Sequence, residues 1–270
     1  MKQLSLQDIR DIQLRILHAF DEYCIENHLK YSLSGGTLLG AVRHKGYIPW
    51  DDDIDVMMPR EDYMRLLNIC NKGIKGYSVK SAYWNRPFHY TYIKVIASNT
   101  ILLEYTNNNV TKSAVYIDVF PIDGLPNEVS LSNKHFYRMK KNINRFVLIS
   151  MAYGVKKSCS FLKSLAWLVL RFLYCLKLDQ YYYKKIENSA QKYSFKDSDY
   201  VGCIVAGYGT RERISRKPFS KYIRIPFESN SYSCISGYNE YLTALYGDYL
   251  KLPPKEEQKS NHNYKAYAID

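Results

Sequence analysis

The segment Trp50-Asp51-Asp52-Asp53-Ile54-Asp55-Val56-Met57-Met58 constrains this chain more than any other, because it sets four carboxylates within five residues against an apolar run. Alone, an acidic run reads as a solvated turn. Ile54 and Val56-Met57-Met58 argue instead for a strand over about residues 52–58, in which alternate side chains share a face. Asp51, Asp53 and Asp55 are then expected to project together, with Asp52 and Ile54 opposite. Like charges this close raise one another's pKa values unless a counter-charge lies among them, and Mg²⁺ is commonly held by one or two carboxylates plus substrate phosphates. The pattern points to a divalent cation, with Mg²⁺ expected and Mn²⁺ the alternative.

Upstream, Tyr31-Ser32-Leu33-Ser34 reads as a short strand and Gly35-Gly36 as a turn whose bare backbone admits a phosphate. A short helix from Thr37 to Arg43 would add its N-terminal dipole. Downstream, Asp118 stands alone between Ile117 and Val119 in an apolar strand, which makes it the natural third carboxylate beside Asp53 and Asp55. Phosphoryl transfer needs charge neutralisation and alignment of nucleophile with leaving group, and glycines plus carboxylates supply both. This is the outline of a nucleotidyltransferase-type site. The stretch from His44 to Trp50 lengthens it and reads as a subclass feature.

The remaining pattern predicts a first helix over residues 6–26 with Ser5 as N-cap and Ile9, Ile12, Ile16, Ala19, Phe20 and Tyr23 as its apolar stripe. A further helix is expected over residues 61–71 after Pro59, then strands at 77–81, 90–97 and 100–105 and a loop at 107–109. The strand over 116–120 is expected to stop at Pro121 and the Asp123-Gly124 turn. Residues 129–193 read as helical, and the rest as short extended pieces with a helix near 237–246. This order indicates an α+β fold, with a mixed-sheet catalytic core in residues 1–125 and a mainly helical, basic region in 126–270 completing the same unit.

At 270 residues the chain can bury a large core, and 46% hydrophobic against 24% charged residues excludes wholesale disorder. A net charge of +12 with 27 Tyr suits polyanionic, sugar or membrane surfaces. Most of that charge sits in residues 134–186, where twelve Lys and Arg face one acid, Asp179. Within it, residues 161–174 are apolar but interrupted by Lys163 and Arg171, too short and too charged for a membrane span. A buried helix is the first expectation. The second is an interfacial helix on anionic lipid, whose vesicle binding would weaken on neutralising Lys156, Lys157 and Lys163. The six cysteines show no metal-ligand spacing, which argues against zinc, and residues 1–20 lack a signal peptide's apolar stretch. A cytoplasmic protein with reduced thiols is expected, peripheral on the inner membrane face at most.

Residues 34–55, from Ser34-Gly35-Gly36-Thr37 through Arg43-His44-Lys45-Gly46-Tyr47 to Asp55, closely resemble the LicD family of phosphotransferases. Agreement continues at Tyr92-Ile93-Lys94, from Tyr116 to Gly124, at Tyr246-Gly247-Asp248-Tyr249 and at Leu252-Pro253-Pro254, so it spans most of the chain. The fukutin group of sugar-phosphate transferases is more distantly similar. The resemblance implies a nucleotidyltransferase-like fold and transfer of phosphocholine from CDP-choline to a sugar hydroxyl of a bacterial surface glycan, such as teichoic acid, lipopolysaccharide or capsule, with release of CMP. CDP-glycerol and CDP-ribitol are the close alternative donors.

It further implies that Asp53 and Asp55 bind Mg²⁺ with Asp118 and Asp51 supporting or ligating, and that Asp51 is a candidate base. Gly35, Gly36, Thr37, Arg43, Lys94, Arg211 and His262 become candidate substrate contacts, with Arg213 beside Arg211. Two rivals remain. A nucleotide-sugar glycosyltransferase also uses a D-x-D motif with Mn²⁺ but releases a nucleoside diphosphate. A non-catalytic basic module would bind anionic lipid or RNA with strong salt dependence and need no aspartates. The clustered acids would repel a polyanion, so no nucleic-acid partner is expected.

Overall fold

After a two-residue strand, β1 (Lys2–Gln3), Ser5 starts helix α1 (Leu6–Glu26) with a capping box. Its hydroxyl accepts from the Asp8 amide, and the Asp8 carboxylate accepts from the Ser5 amide. The stripe expected from the sequence is the buried one, with Ile9, Ile12, Ile16 and Phe20 in the core. The computed structural model describes residues 1–106, 109–152, 161–206, 208–260 and 263–269.

There follow β2 (Ser32–Leu33), α2 (Gly35–Arg43), β3 (Asp55–Pro59), α3 (Arg60–Ile69), β4 (Ser78–Lys80), β5 (Ile93–Thr106) and β6 (Asn109–Leu125). Three helices come next, α4 (Val129–Met151), α5 (Phe161–Cys175) and α6 (Leu178–Ala190). The last elements are β7 (Tyr200–Gly202), β8 (Ile214–Ser215), β9 (Tyr222–Phe227), β10 (Asn230–Ile235), α7 (Tyr238–Tyr246) and β11 (Tyr264–Ala268).

The fold is α+β. Among the described residues, nine strands form one mixed sheet in the order β1-β11-β5-β6-β3-β2, with β4 beside β5, β7 beside β6 and β8 beside β7. β3 and β6 run parallel, and the other neighbours in this sheet are antiparallel. β9 and β10 make a separate hairpin. Strand alternation divides the central strands: Ile93, Val95, Val115, Ile117 and Val119 are fully buried in the core, which leaves Lys94, Tyr116, Asp118 and Phe120 on the other face. α1 packs on β5 and β6, and α3 packs on β3 and β6.

The structure departs from the sequence expectation at definable points. The strand of the acidic run begins only at Asp55, because the backbone of residues 48–52 bonds to α1. Arg10 Nη2 donates to the carbonyls of Ile48 (3.1 Å), Pro49 (3.0 Å) and Asp51 (2.5 Å), and Gln13 Nε2 donates to that of Asp52 (2.9 Å). Asp51 and Asp53 are therefore held by a loop, not by a pleat. α2 starts at Gly35, so the glycine pair forms its first turn.

The two strands expected over 90–105 are one, β5, whose register with β6 shifts between Ala97 and Leu102. The Thr100 hydroxyl fills that irregularity by donating to the Ala97 carbonyl (2.7 Å) and accepting from the Val115 amide (2.9 Å). β6 does not stop at Pro121. There it pairs only with β3, at Met58, and a proline is tolerated where a strand has one free side; Asp123, Gly124 and Leu125 then pair with β7. Of the loop expected at 107–109, residues 107 and 108 lie outside the described residues, as do Lys156, Lys157 and His262.

The helical region is not uniformly buried. Arg60, at the start of α3, is bidentate to Asp123 (2.6 and 2.8 Å) and also meets Glu187 of α6 (3.0 Å), all three out of water. α5, in contrast, leaves Leu165, Leu168, Val169 and Phe172 exposed, so the expectation of a buried helix is not met. Among the described residues, no helix is long and apolar enough to cross a membrane. The 15 residues of α5 span about 22 Å at ~1.5 Å each, against a hydrocarbon core of about 30 Å.

Candidate active site

Asp55 is the register partner of Asp118 across the parallel β3–β6 pair, and Lys94 is the partner of Asp118 on the other side, on β5. The three side chains thus form a row across one face of the sheet. Lys94 Nζ donates to Asp118 Oδ1 at 2.6 Å and lies 3.3 Å from the Tyr116 ring centroid and 4.2 Å from that of Tyr90. Burial lowers the Lys94 pKa, with Asp118 and then Asp55 opposing. Burial also pushes the Asp55 carboxyl well above its ordinary value, the negative charges of Asp53, Asp118 and Asp51 add to this, and Lys94 opposes it.

The first turn of α2 closes over these acids. The Thr37 hydroxyl accepts from the Asp55 amide at 2.9 Å, which fixes the start of β3 against the helix. Gly35 has φ +47°, a left-handed conformation that favours glycine, and a Cβ added there would lie 3.6 Å from Asp55 Oδ2. At Gly36 the approach is closer: a Cβ would stand 2.7 Å from Asp51 Oδ2, so any side chain would displace that carboxylate.

The loop supplies the other oxygens. One carboxylate oxygen from each of Asp51, Asp52 and Asp53 lies within 4.8 Å of the others. Asp52 is the buried member, where its Oδ2 accepts from Ser260 (2.6 Å) and its carbonyl from the Tyr264 hydroxyl (3.2 Å). Clustered carboxylates next to an Asp55 whose ionisation is opposed by its neighbours are a donor set that fits a hard, oxygen-seeking divalent cation.

The structure brings together Gly35, Gly36, Thr37, Asp51, Asp53, Asp55, Asp118 and Lys94. Among the described residues, the other candidates have these surroundings. Arg43 Nη1 donates to the carbonyls of Tyr249 (2.9 Å) and Lys251 (3.3 Å), which ties α2 to the segment after α7. Arg211 is exposed, and Arg213 lies over the Tyr200 ring at 3.5 Å while donating to the Asn127 carbonyl at 2.6 Å. His262 lies outside the described residues.

Sequence reasoning missed two groups. Arg10 and Gln13, read as part of a packing helix, organise the backbone of the acidic loop, and the polar interruption of the α1 stripe at Gln13 was the available signal. The second group lines a cavity of about 210 Å³ beside Asp55, formed by Gly35, Phe120, Tyr208, Glu212 and Tyr241 among others. Glu212 is 3% exposed, and burial pushes its carboxyl up to about 7. Its flanking arginines drew the reading; only the fold reveals that the acid between them turns inward. A larger cavity of about 670 Å³, lined by Asp8, Arg15, Lys75 and Thr100, contains none of the site residues.

Residues 28–149, which include the acidic run and Asp118, match the model of the LicD/FKTN/FKRP nucleotidyltransferase domain. The lipopolysaccharide cholinephosphotransferase LicD of Haemophilus influenzae is 33% identical over 288 aligned positions, covering the whole of both chains. The ribitol 5-phosphate transferase FKRP of Mus musculus is 31% identical over 93 residues, which is 34% of this chain and 17% of that one. An uncharacterized protein of Rickettsia prowazekii, RP689, is 50% identical over 48 residues, 18% of either chain. With end-to-end similarity to one member and the domain match centred on the carboxylate site, the chain belongs to the LicD family of phosphotransferases.

Proposed function

We propose that the protein transfers phosphocholine from CDP-choline to a sugar hydroxyl of a bacterial cell-surface glycan and releases CMP. The observation that carries the reading is the row of Asp55, Asp118 and Lys94 beneath the glycine turn of α2, in a chain similar over its full length to a cholinephosphotransferase. In the reaction the sugar oxygen bonds to the distal phosphorus, the bond from that phosphorus to the bridging oxygen breaks, and CMP leaves with the bridging oxygen. The hydroxyl proton passes to a base, for which Asp51 is the candidate beside Gly36.

Asp53 and Asp55 would hold Mg²⁺, with Asp118 next to them and steadied by Lys94. The ion would supply neutralisation of the diphosphate charge. The amides of Gly35 and Gly36 at the start of α2 would receive phosphate oxygens. A polyol donor, CDP-ribitol or CDP-glycerol, is the second reading, favoured by the partial similarity to a ribitol 5-phosphate transferase.

Isothermal titration with CDP-choline, CDP-glycerol and CDP-ribitol, each with and without Mg²⁺, tests the reading. Metal-dependent binding of CDP-choline that disappears in Asp53→Ala supports it. Binding of a polyol donor instead transfers it to the second reading, and an Asp53→Ala protein of full activity would overturn the metal assignment. Detection of a nucleoside diphosphate rather than CMP after turnover would make the protein a glycosyltransferase.

The acceptor side is supported by the helical region. Leu165, Leu168, Val169 and Phe172 recur at helical spacing on one exposed face of α5, while Lys134, Arg138, Lys140, Lys141 and Arg145 are exposed along the neighbouring α4. An apolar stripe beside a basic one suits the surface of an anionic membrane, where a lipid-linked glycan would be met.

A further inference from the structure

The cavity beside Asp55 combines three features that a phosphate site does not need. Phe120, Tyr208 and Tyr241 line it from three separate elements: β6, the short 3-10 turn Gly209–Glu212 with its preceding residue, and α7. Glu212 sits among them at 3% exposure, and its Oε2 has no hydrogen-bond partner. The remaining oxygen, Oε1, accepts a long bond of 3.4 Å from the Tyr208 amide, and the Cys203 backbone also acts on the carboxylate. A buried carboxylate oxygen left without a donor is costly unless a cation completes it.

The rings are held in place by their own partners. The Tyr208 hydroxyl shares a 2.7 Å bond with Tyr246, and their rings meet edge to face at 5.4 Å. Phe120 is backed by Tyr92 at 4.4 Å between centroids. Tyr241 shares a hydrogen bond with Ser34 at 3.1 Å, which turns its hydroxyl towards the glycine turn. A volume of about 210 Å³ lies below the ~300 Å³ at which drug-sized pockets begin, so the cavity suits a compact head group and is too small for a whole nucleotide.

We infer that this cavity binds a quaternary ammonium, with Glu212 opposing its charge and Phe120, Tyr208 and Tyr241 enclosing its methyl groups. Aromatic surfaces attract such cations, and a nearby carboxylate adds the full charge that the ring quadrupoles lack. Asp55 lines the same cavity, so one small molecule can present phosphate at the aspartate end and a trimethylammonium at the Glu212 end. The inference rests on the phosphocholine reading and names the residues that would select choline over a neutral polyol.

The test compares affinities of the full chain for CDP-choline and CDP-glycerol with Mg²⁺ present, in the wild type, Glu212→Gln, Tyr208→Leu and Tyr208→Phe. Glu212→Gln keeps the shape and removes the charge; it is expected to weaken CDP-choline binding by about tenfold with little change for CDP-glycerol. Tyr208 is 47% exposed, so Tyr208→Leu removes a ring at little risk to folding, and the same selective loss is expected. Tyr208→Phe, which keeps the ring, is expected to retain the preference. If the wild type prefers CDP-choline and both Glu212→Gln and Tyr208→Leu keep that preference in full, the cavity assignment is wrong and the donor reading stands. If the wild type binds CDP-choline no better than CDP-glycerol, the donor reading fails and the inference falls with it.

Discussion

Lys94 and Asp118 are direct cross-strand partners on β5 and β6, and their side chains close a 2.6 Å ion pair at the face of the sheet that carries Asp55. Lys94 is 2% exposed, so its ammonium has exchanged water for one carboxylate oxygen and the surfaces of Tyr90 and Tyr116. Its reach to a substrate phosphate is limited by that burial. Its part is to hold one acid of a crowded row in place.

Breaking this pair on one side should be costly. Lys94→Met leaves Asp118 without its counter-charge and is expected to lower the unfolding free energy by about 3–5 kcal/mol. Lys94→Met combined with Asp118→Leu should recover most of that loss while remaining inactive. Urea unfolding of the single and double variants measures both, and an equally unstable double variant would show that packing, not charge, makes the contribution.

The Arg60 triad, none of whose members lines the cavity, offers a contrast. Arg60→Leu strands Asp123, which has no exposed surface, together with Glu187, and a loss of about 3–5 kcal/mol is expected. Below the unfolding transition the variant should still bind the nucleotide donor, as titration would reveal. A fully stable Arg60→Leu protein would contradict the role given to the triad.

Arg10 should matter to turnover more than to stability. Arg10→Ala frees the carbonyls of Ile48, Pro49 and Asp51, and a shift of the loop by about 1 Å is enough to cost on the order of 10²-fold in rate. Steady-state kinetics should report a fall mainly in kcat, with donor affinity less affected. An unchanged kcat would mean that the loop keeps its position without α1.

Glu212 gives the fold a pH dependence of known sign. Its carboxyl titrates near 4.5 when exposed and is pushed up to about 7 by burial. Below about 4.5 both folded and unfolded chains carry the proton; between there and about 7 the unfolded chain releases it and the folded chain keeps it. The associated stability is thus present at low pH and lost as pH rises through about 7, amounting to ~3 kcal/mol. Urea unfolding from pH 4.5 to 8 should yield a smaller fall for Glu212→Gln than for the wild type, and parallel curves would exclude the effect.

Membrane contact, if α5 provides it, should depend on apolar side chains that nothing else uses. Leu168→Ser with Phe172→Ser changes two exposed residues, so stability should stay within about 0.5 kcal/mol. Partition onto vesicles containing anionic lipid should fall by about tenfold or more in a sedimentation assay. Equal partition of variant and wild type would remove α5 from the interface.

Much of the fold was legible where local chemistry decides it. Ser5 with Asp8, the 3.6-residue stripe through Ile9 and Phe20, and the alternation of Ile117, Asp118 and Val119 each name their element without outside help. The glycine turn and Asp55 beside Asp118 also follow from the order of motifs. What failed did so through distant partners. Arg10 and Gln13 hold residues 48–52 in a loop, so that the strand expected from Asp52 starts at Asp55, Thr100 mends β5 into one piece, and β7 extends β6 past its proline. Glu212 was invisible because burial is a property of the folded chain, and its neighbours Arg211 and Arg213 were the residues that read as substrate contacts.

The bonds from Ser260 and Tyr264 to Asp52, and the pairing of β11 with β5, set an order of assembly. A nascent chain emerging from the ribosome exposes Asp51, Asp52, Asp53, Asp55 and Asp118 before half its length is made, yet two of the side chains that fasten the acidic loop follow more than 200 residues later. Contacts of such long sequence separation form late and slowly. The acidic cluster is therefore encoded early and completed last, so that partly synthesised chains carry its charges without its shape.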